Sequence, residues 1–271
     1  MAKSKDVPPN QLDELRRNLE RLKLRAMLEH LDQALEDAAT LEQGYIAFAA
    51  NLVEREVLAR AEEATTRRMK SAAFPTVKTF DTFDWAFQRT LNVQLVKDLM
   101  NLHFIDDGRP VVMLGKPGTG KTHMSLAYGA LAASRGRTVR YATAKALLHE
   151  LYASLADGST ERLVARLARV DLLIIDDIRH IPPRPEYATL LFDVVEARHL
   201  KKSTLVSSNL SVKQWGVVLG NPALTASMVD RLLERAHVIN IRRGRSYRTE
   251  GPDASPDRPV ELDTDDEPAS T

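Results

Sequence analysis

The sequence contains no cysteine, which excludes a disulfide-stabilised scaffold, a cysteine-ligated zinc site and a thiol nucleophile. It also lacks any apolar run approaching the roughly 20 residues that a membrane-spanning helix needs, and its first residues lack the apolar stretch of a signal peptide. These absences favour a cytoplasmic protein with no membrane partner. The 271 residues are 44% hydrophobic and 28% charged, enough for one core domain and an accessory domain.

The net charge is also small, at +1, but it is unevenly distributed. Residues 250–271 contain eight acidic side chains and one arginine, so this segment carries −7 and residues 1–249 carry +8. A basic body is typical of proteins that bind nucleic acid. An ordinary surface with a solvated tail explains the same numbers, and both interpretations stay open. We expect residues 250–271 to form a disordered acidic tail.

The first 73 residues show helical periodicity without strand-like alternation. Residues 1–10 are polar, include two prolines and are expected to be disordered. From Gln11, leucines recur every three or four residues, and a second pattern of this kind follows Gly44 and extends to about Met69. The pattern predicts a small helical domain over residues 11–73 that serves in DNA binding and assembly.

Basic side chains form two clusters in this helical domain. In the first cluster, three arginines are four residues apart and would share one face of a helix. Such a face suits a phosphate backbone, although a solvated face paired with nearby glutamates is the alternative. The candidate DNA contacts are Arg17, Arg21, Arg25, Arg67, Arg68 and Lys70.

Residues 74–249 have a different pattern. Phe74-Pro75 ends the helical pattern and begins an aromatic-rich linker, and short apolar runs alternate with helical segments from Pro110 onward. Strands that alternate with helices form parallel sheets with helices on both faces. We therefore predict an α/β domain with a five-stranded parallel sheet. The predicted strands are Val111–Leu114, Thr138–Ala142, Leu172–Ile175, Thr204–Ser207 and His237–Ile241.

The strongest motif directly follows the first of these strands and precedes a predicted helix. It reads Gly115-Lys116-Pro117-Gly118-Thr119-Gly120-Lys121-Thr122 and matches the phosphate-binding P-loop. The glycines let the backbone curl so that its N–H groups face phosphate oxygens, and the helix adds its N-terminal partial charge. Lys121 would reach the β- and γ-phosphates of ATP, and the Thr122 hydroxyl would bind Mg²⁺.

A pair of acids ends the third predicted strand, about 55 residues after the P-loop. Asp176 and Asp177 follow the apolar run Leu172–Ile175, and carboxylates at this end of a parallel strand face the ligand crevice. We predict that Asp176 holds Mg²⁺ and that Asp177 polarises the attacking water as general base.

Two later segments contain candidate contacts to the triphosphate. Asn209 ends the fourth strand and would orient water or a γ-phosphate oxygen, unless it caps the next helix. Arg231 lies in a helical segment and would reach a neighbouring subunit's γ-phosphate. The alternatives are an intramolecular pair with Asp230 or Glu234, or Arg235 as the trans-acting residue.

The last basic segment, Arg242–Arg248, holds four arginines and a tyrosine. Arginines beside a glycine turn suit phosphate contact, which makes nucleotide and DNA both candidate ligands. A basic chain end balanced by the acidic tail is the alternative.

Together these segments resemble one family, the IstB-type helper ATPases of bacterial insertion sequences. These are AAA+ proteins similar to the DnaC helicase loader and the DnaA initiator. The resemblance runs from about Leu22 to Arg248. It rests on the P-loop with His123 next to it, Asp176-Asp177, Ser207-Ser208-Asn209, Asp230-Arg231-Leu232 and Ser246-Tyr247-Arg248.

The resemblance implies an ATP-driven homo-oligomer that binds duplex DNA, marks a target site and delivers it to a partner transposase. It implies the phosphate and metal roles already assigned, a γ-phosphate sensor at Asn209 and a trans-acting arginine finger at Arg231. It also places Phe80 and Phe83 near the adenine. Many relatives carry glutamate where this chain has Asp177, and the acidic tail is not part of the family pattern.

Two other functions stay open. A helicase loader shares the ATPase core but would grip a replicative helicase and prefer single-stranded DNA. A small-molecule kinase would need an acceptor pocket and lid arginines within one subunit, and ATPase activity stimulated by duplex DNA would distinguish it from the family function.

Overall fold

A computed structural model of the chain describes residues 9–179, 184–241 and 244–252. Most of the two segments expected to be disordered therefore lies outside the described residues, as do two arginines of the basic C-terminal segment, Arg242 and Arg243. The first described residue already begins a helix and Glu250 ends one. The regular structure thus extends slightly into both of those segments.

The chain divides into two compact units, Met1–Arg67 and Arg68–Thr271. The division falls six residues before the predicted boundary. The reason is that Met69 and Ala72 belong to a hydrophobic cluster of the second unit, so the end of the last N-terminal helix packs with the α/β domain. None of the helices in the described parts of either unit is long and apolar enough to cross a membrane.

Three helices make up the described part of the first unit: α1 (Pro9–Arg21), α2 (Arg25–Thr40) and α3 (Tyr45–Ser71), of which α3 continues into the second unit. Their apolar positions, spaced by three and four residues, form a small core. Its fully buried members are Leu19, Leu31, Ala34 and Leu52.

The pattern over residues 11–70 predicts three or four helices, and the part that starts at Gln11 is divided between α1 and α2. The helix α1 ends at Arg21, because Lys23 adopts a left-handed conformation with φ 57° and the Leu24 N–H donates to the Leu19 carbonyl over 2.9 Å. This is a Schellman ending, with lysine where glycine is usual. The prediction that Arg17, Arg21 and Arg25 share one helix face is therefore wrong, since Arg25 begins α2.

The second unit is built on five parallel strands, as predicted. Their order in the sheet is β2-β3-β4-β1-β5, so β2 and β5 are the edges. Nearly every residue of β1, β3 and β4 is buried, which accounts for the continuous apolar runs in β1 and β3. The strands are β1 (Val111–Gly115), β2 (Val139–Thr143), β3 (Leu172–Ile178), β4 (Ser203–Ser208) and β5 (His237–Ile241).

Helices connect the strands and cover the sheet through two large hydrophobic clusters. A single 3₁₀ turn, Val212–Gln214, precedes α10 in the described chain. The helices are α4 (Val93–Leu99), α5 (His103–Asp106), α6 (Lys121–Ser134), α7 (Ala144–Ala153), α8 (Thr160–Arg169), α9 (Pro185–Arg198), α10 (Trp215–Leu219), α11 (Pro222–Leu233) and α12 (Tyr247–Glu250).

The strand order brings the predicted motifs to one edge of the sheet. Strand β4 lies between β3 and β1, with Leu114 opposite Ser208 and Ile175 opposite Val206. The P-loop, the acid pair and Asn209 each follow or end one of these three strands. Because carboxyl ends of parallel strands share an edge, the topology alone places these motifs side by side.

Candidate functional site

The P-loop turns from β1 into α6 through two glycines with left-handed backbone, Gly118 at φ 78° and Gly120 at φ 91°. Other residues rarely adopt this conformation. Space is also restricted, because a Cβ at Gly120 would lie 2.8 Å from the Phe83 ring and one at Gly118 would clash with the Ser246 hydroxyl. Both the curl of the loop and its close packing therefore require glycine.

Lys121 is buried at the first turn of α6. Its Nζ donates to the carbonyls of Gly115 and Lys116, at 2.7 and 2.8 Å. Burial lowers the pKa of Lys121 to about 8, although the charges of Asp177 and Asp176 oppose the shift. The ammonium is thus held across the base of the loop and is charged at neutral pH.

Asp176 is 2% exposed and accepts hydrogen bonds from three hydroxyl groups. Thr122 Oγ1 and the Tyr141 hydroxyl donate to Oδ2 over 2.8 and 3.0 Å, and Ser207 Oγ donates to Oδ1 over 2.6 Å. Such donors replace the water that a carboxylate loses on burial. The pairing of Thr122 with Asp176 unites the two predicted magnesium ligands.

A β-bulge explains how two successive acids both reach this edge. In a regular strand their side chains would point to opposite faces of the sheet. The register between β3 and β4 shifts after Ile175, so that Asp176 and Asp177 together oppose Ser207, and Asp177 has φ 65°. The Asp177 N–H donates to Ser207 Oγ over 2.9 Å. Ser207 therefore holds both acids of the pair.

The Asp177 carboxylate is largely buried and lies 2.7 Å from Arg179 Nε. Burial raises the pKa of Asp177, while the charge of Arg179 acts in the opposite direction. A raised pKa is the direction expected for a general base. In this conformation Arg179 is paired with the Asp177 carboxylate. To act as a general base, the carboxylate would have to separate from Arg179.

Asn209 follows β4 and lines the same cavity as the P-loop. The alternative role, as cap of the next helix, belongs to another residue. The turn Val212–Gln214 is capped by Ser211, whose hydroxyl and N–H both contact the Gln214 side chain at 2.8 Å. Asn209 therefore lines the cavity and does not cap this turn.

A cavity of about 570 Å³ extends from the P-loop between these elements. Gly115, Lys116 and Asp176 do not line it. Residues 79–88 form one wall and the C-terminal segment another. The lining residues are Lys78, Thr82, Phe83, Asp84, Phe87, Gln88, Pro117, Gly118, Thr119, Gly120, Lys121, Thr122, His123, Asp177, Arg179, Ser207, Asn209, Tyr247 and Arg248.

The two phenylalanines expected near the adenine are not equivalent. Phe83 lines the cavity, with its ring centroid 5.3 Å from that of His123. Phe80 lies behind it, stacked on Trp85 at 5.9 Å and edge-on to Tyr128 at 4.7 Å. Phe80 thus supports the cavity wall without lining it, and a position near the adenine stays a prediction for both residues.

The predicted finger, Arg231, lies on α11 and does not line the cavity of its own chain. It pairs with Glu196, donates to Ser227 Oγ over 2.7 Å and lies over the Phe192 ring at 4.8 Å. The ion-pair partner of Arg231 is therefore Glu196, and not Asp230 or Glu234, the two acids considered from the sequence. Arg235, the alternative finger, is exposed.

The predicted DNA contacts differ in their surroundings. Arg17, Arg21, Arg25 and Lys70 are exposed, as is Arg67, which pairs with Glu63 at 3.2 Å. Arg68 is half-buried and its Nε donates to the Ala133 carbonyl at the end of α6 over 2.9 Å. Its guanidinium therefore has a structural contact within the second unit.

The C-terminal segment adds residues to the site that the sequence had not assigned. The Tyr247 N–H donates to the Gly118 carbonyl over 2.9 Å, and the Tyr247 ring packs edge-on against Phe87. Arg248 lines the cavity, and its charge adds to the effect of burial on the pKa of Lys121. Arg248 thus lies at the same cavity as the P-loop residues.

These features define the class of the protein. The chain has the features of a P-loop ATPase of the AAA+ type. These features are a parallel sheet with β4 between β1 and β3, a P-loop after β1, an acid pair at the end of β3 and a polar side chain after β4. The family follows from the sequence: residues 17–253 match the model of the family described as IstB-like ATP binding protein. The chain belongs to this family, and it binds ATP.

Similar proteins come from insertion sequences. The chain is 33% identical over 237 residues to the ATP-binding protein attributed to insertion sequence IS21 of Pseudomonas aeruginosa, covering 88% of this chain and 89% of that one. It is 32% identical to the corresponding protein of IS232 from Bacillus thuringiensis, covering 88% and 95%.

Solved structures support the fold. AMPPCP-bound DnaA from Aquifex aeolicus matches with a TM-score of 0.53 at 22% identity, covering 65% of this chain and 52% of that one. A DnaI structure matches with a TM-score of 0.52 at 18% identity, covering 60% and 90%. At these identities the likeness concerns the fold of the ATPase core.

The lowered pKa of Lys121 leads to a pH-dependent affinity for ATP. Only the charged ammonium attracts phosphate, so affinity should fall by about fivefold between pH 8 and 9, as the charged fraction of Lys121 does. A fluorescent ATP analogue titrated without Mg²⁺ at each pH measures this. In Lys121→Arg the guanidinium does not titrate in this range, so any residual affinity should lose the decline. A wild-type affinity that stays constant to pH 9 would contradict the assignment.

Proposed function

We propose that the chain is an ATP-hydrolysing subunit of a homo-oligomer that assembles on duplex DNA and recruits a partner transposase. The observation that carries the proposal is the phosphate site, in which Lys121, the Thr122–Asp176 pair, Asp177 and Asn209 converge at the carboxyl ends of three adjacent strands. The naming of the relatives as ATP-binding proteins of insertion sequences supports the link to transposition.

The residues at this site fit a magnesium ion that arrives with the nucleotide. Mg²⁺ prefers oxygen ligands and takes one or two from the protein, with the remainder from phosphates and water. Thr122 and Asp176 supply one hydroxyl and one carboxylate, and the described residues include no cluster of three acidic or histidine side chains. When bound, the ion would neutralise charge that develops on the phosphates.

Other residues of this site would bind the phosphates and activate the attacking water. Lys121 would leave its two carbonyl partners for phosphate oxygens. Asp177 would accept the proton of the attacking water once Arg179 releases it, and Asn209 would orient that water or a phosphate oxygen. Arg248 lines the same cavity and would contact the triphosphate from within the subunit.

Arg231 would complete the site of a neighbouring subunit. Its position outside its own cavity and its partly exposed guanidinium support a role in trans. To reach a second subunit it must exchange Glu196 for phosphate, which makes the ion pair a competitor of assembly. ATP bound at such an interface stabilises the oligomer by mass action.

Asp177→Asn tests the hydrolytic role. The amide cannot accept the proton, so turnover should fall at least about 100-fold, while ATP binding is retained. Single-turnover hydrolysis and equilibrium binding measure the two effects. The variant should also stay as an ATP-bound oligomer on duplex DNA, seen by sedimentation, where the wild type dissociates. Wild-type turnover in Asp177→Asn would remove this residue as the base.

A mixing experiment tests the finger. Arg231→Ala should lower the hydrolysis rate by roughly 10³-fold or more, and Lys121→Ala should be inactive because it cannot hold ATP. A mixture of both inactive proteins should regain activity, since Arg231 of one variant completes the intact pocket of the other. The matched control mixes Arg235→Ala with Lys121→Ala in the same way. Recovery only with Arg235→Ala would transfer the role to that residue, and recovery with neither pair would refute the shared site.

DNA contact by the first unit predicts a specific salt dependence. Each neutralised phosphate contributes about −0.9 to the slope of log affinity against log salt, so the double variant Arg17→Gln/Arg21→Gln should flatten the slope by about 1.8. Fluorescence anisotropy with duplex DNA at several salt concentrations measures it. The control Arg89→Gln/Lys213→Gln removes the same charge from exposed positions of the second unit. Equal slopes for the two double variants would exclude a specific contact.

A further inference from the structure

Tyr141 is a buried residue that the ATPase site does not yet explain. It lies on the edge strand β2, opposite Ile174 of β3, while Thr143 lies opposite Asp176. Its side chain is 6% exposed and reaches diagonally across the strand pair, where such contacts are within range of a long side chain. The hydroxyl ends 3.0 Å from Asp176 Oδ2, to which it donates.

The contact is significant because of what else binds that oxygen. Thr122 Oγ1 also donates to Oδ2, over 2.8 Å, while Ser207 donates to Oδ1. A Thr122 hydroxyl that binds Mg²⁺ uses an oxygen lone pair and keeps its hydrogen for Asp176. Tyr141 is therefore a second donor to Oδ2, and unlike Thr122 it has no contact with the ion to make.

Tyr141 is itself fixed at its backbone and its ring. Strand β2 is an edge, so the Tyr141 N–H points away from β3, and it donates to the Ala72 carbonyl over 2.8 Å. Ala72 directly follows the last turn of α3 and is fully buried. The Phe74 ring lies 6.3 Å from that of Tyr141, tilted by 58°. The hydroxyl position is therefore set by elements outside the phosphate site.

We propose that Tyr141 is a positioning residue of the magnesium site. By donating to Oδ2 of Asp176, the Tyr141 hydroxyl orients that carboxylate toward the ion. The inference rests on the proposed function, in which Thr122 and Asp176 hold Mg²⁺. Hydrogen-bond donors to a metal-binding carboxylate commonly change metal affinity by 10- to 100-fold. Tyr141 also links that carboxylate to the end of α3 through Ala72.

Tyr141→Phe tests the inference, since it removes only the hydroxyl and keeps the ring against Phe74. Binding of a fluorescent ADP analogue is followed by anisotropy, first in EDTA and then against increasing Mg²⁺. We expect wild-type affinity in EDTA and a half-saturating Mg²⁺ concentration raised about tenfold. The Mg²⁺ dependence of ATP hydrolysis should shift to higher concentration in the same way.

Tyr128→Phe is the matched control. The Tyr128 hydroxyl is also buried and donates to the Val96 carbonyl over 2.7 Å, but it lies away from the magnesium ligands. A general loss of stability would affect both variants and appear as a lower unfolding temperature, whereas only Tyr141→Phe should shift the Mg²⁺ titration. An unchanged titration in Tyr141→Phe, or an equal shift in both variants, overturns the inference.

The experiment separates this inference from the function on which it rests. If Mg²⁺ does not alter nucleotide affinity even in the wild type, the magnesium site itself is wrong and the role of Tyr141 fails with it. If the wild type responds to Mg²⁺ and Tyr141→Phe responds equally, only the role of Tyr141 is refuted. Replacing Mg²⁺ by Mn²⁺ and recording its electron paramagnetic resonance gives a second, direct measure of metal affinity.

Discussion

The burial of one carboxylate, that of Asp176, governs the architecture of the site. An ionised group at 2% exposure is unfavourable unless donors replace its hydration. Here the donors come from three elements of the fold: Thr122 from the first turn of α6, Tyr141 from β2 and Ser207 from β4. The electrostatic requirement of a single side chain thus ties together the helix after the P-loop and three adjacent strands, which are the parts that must keep their relative positions during ATP binding.

Much of the second unit could be predicted from the sequence, because its signals are local and mutually consistent. Strands β1 and β3 appear as continuous apolar runs, and the P-loop has fixed residues with a strand before it and a helix after it. The topology then needs little further information, since alternating strands and helices restrict the sheet to a few arrangements. The position of Asn209 beside the P-loop follows from the same logic, as β4 lies between β1 and β3.

The features that sequence reasoning missed depend on tertiary contacts. Lys23 ends α1 without glycine or proline, so the apolar spacing across it looks uninterrupted. Phe80 and Phe83 are three residues apart and chemically identical, and both are buried in one hydrophobic cluster. Only the fold shows that Phe83 lines the cavity and Phe80 does not. The role of Arg248 required the C-terminal segment to fold back to the Gly118 carbonyl, a contact that joins residues distant in the chain.

The bulge in β3 limits how this part of the chain can vary in length. One extra residue lets Asp176 and Asp177 share Ser207 as their opposite neighbour. Deleting a single residue there would restore one-to-one pairing, with Ile178 still opposite Ser208 but only one residue left opposite Ser207. Exchanging a side chain alters one group, whereas losing one residue would remove one of the two backbone positions that Ser207 contacts. The number of residues between Ile175 and Ile178 is therefore a requirement of the site in addition to the identity of the two acids.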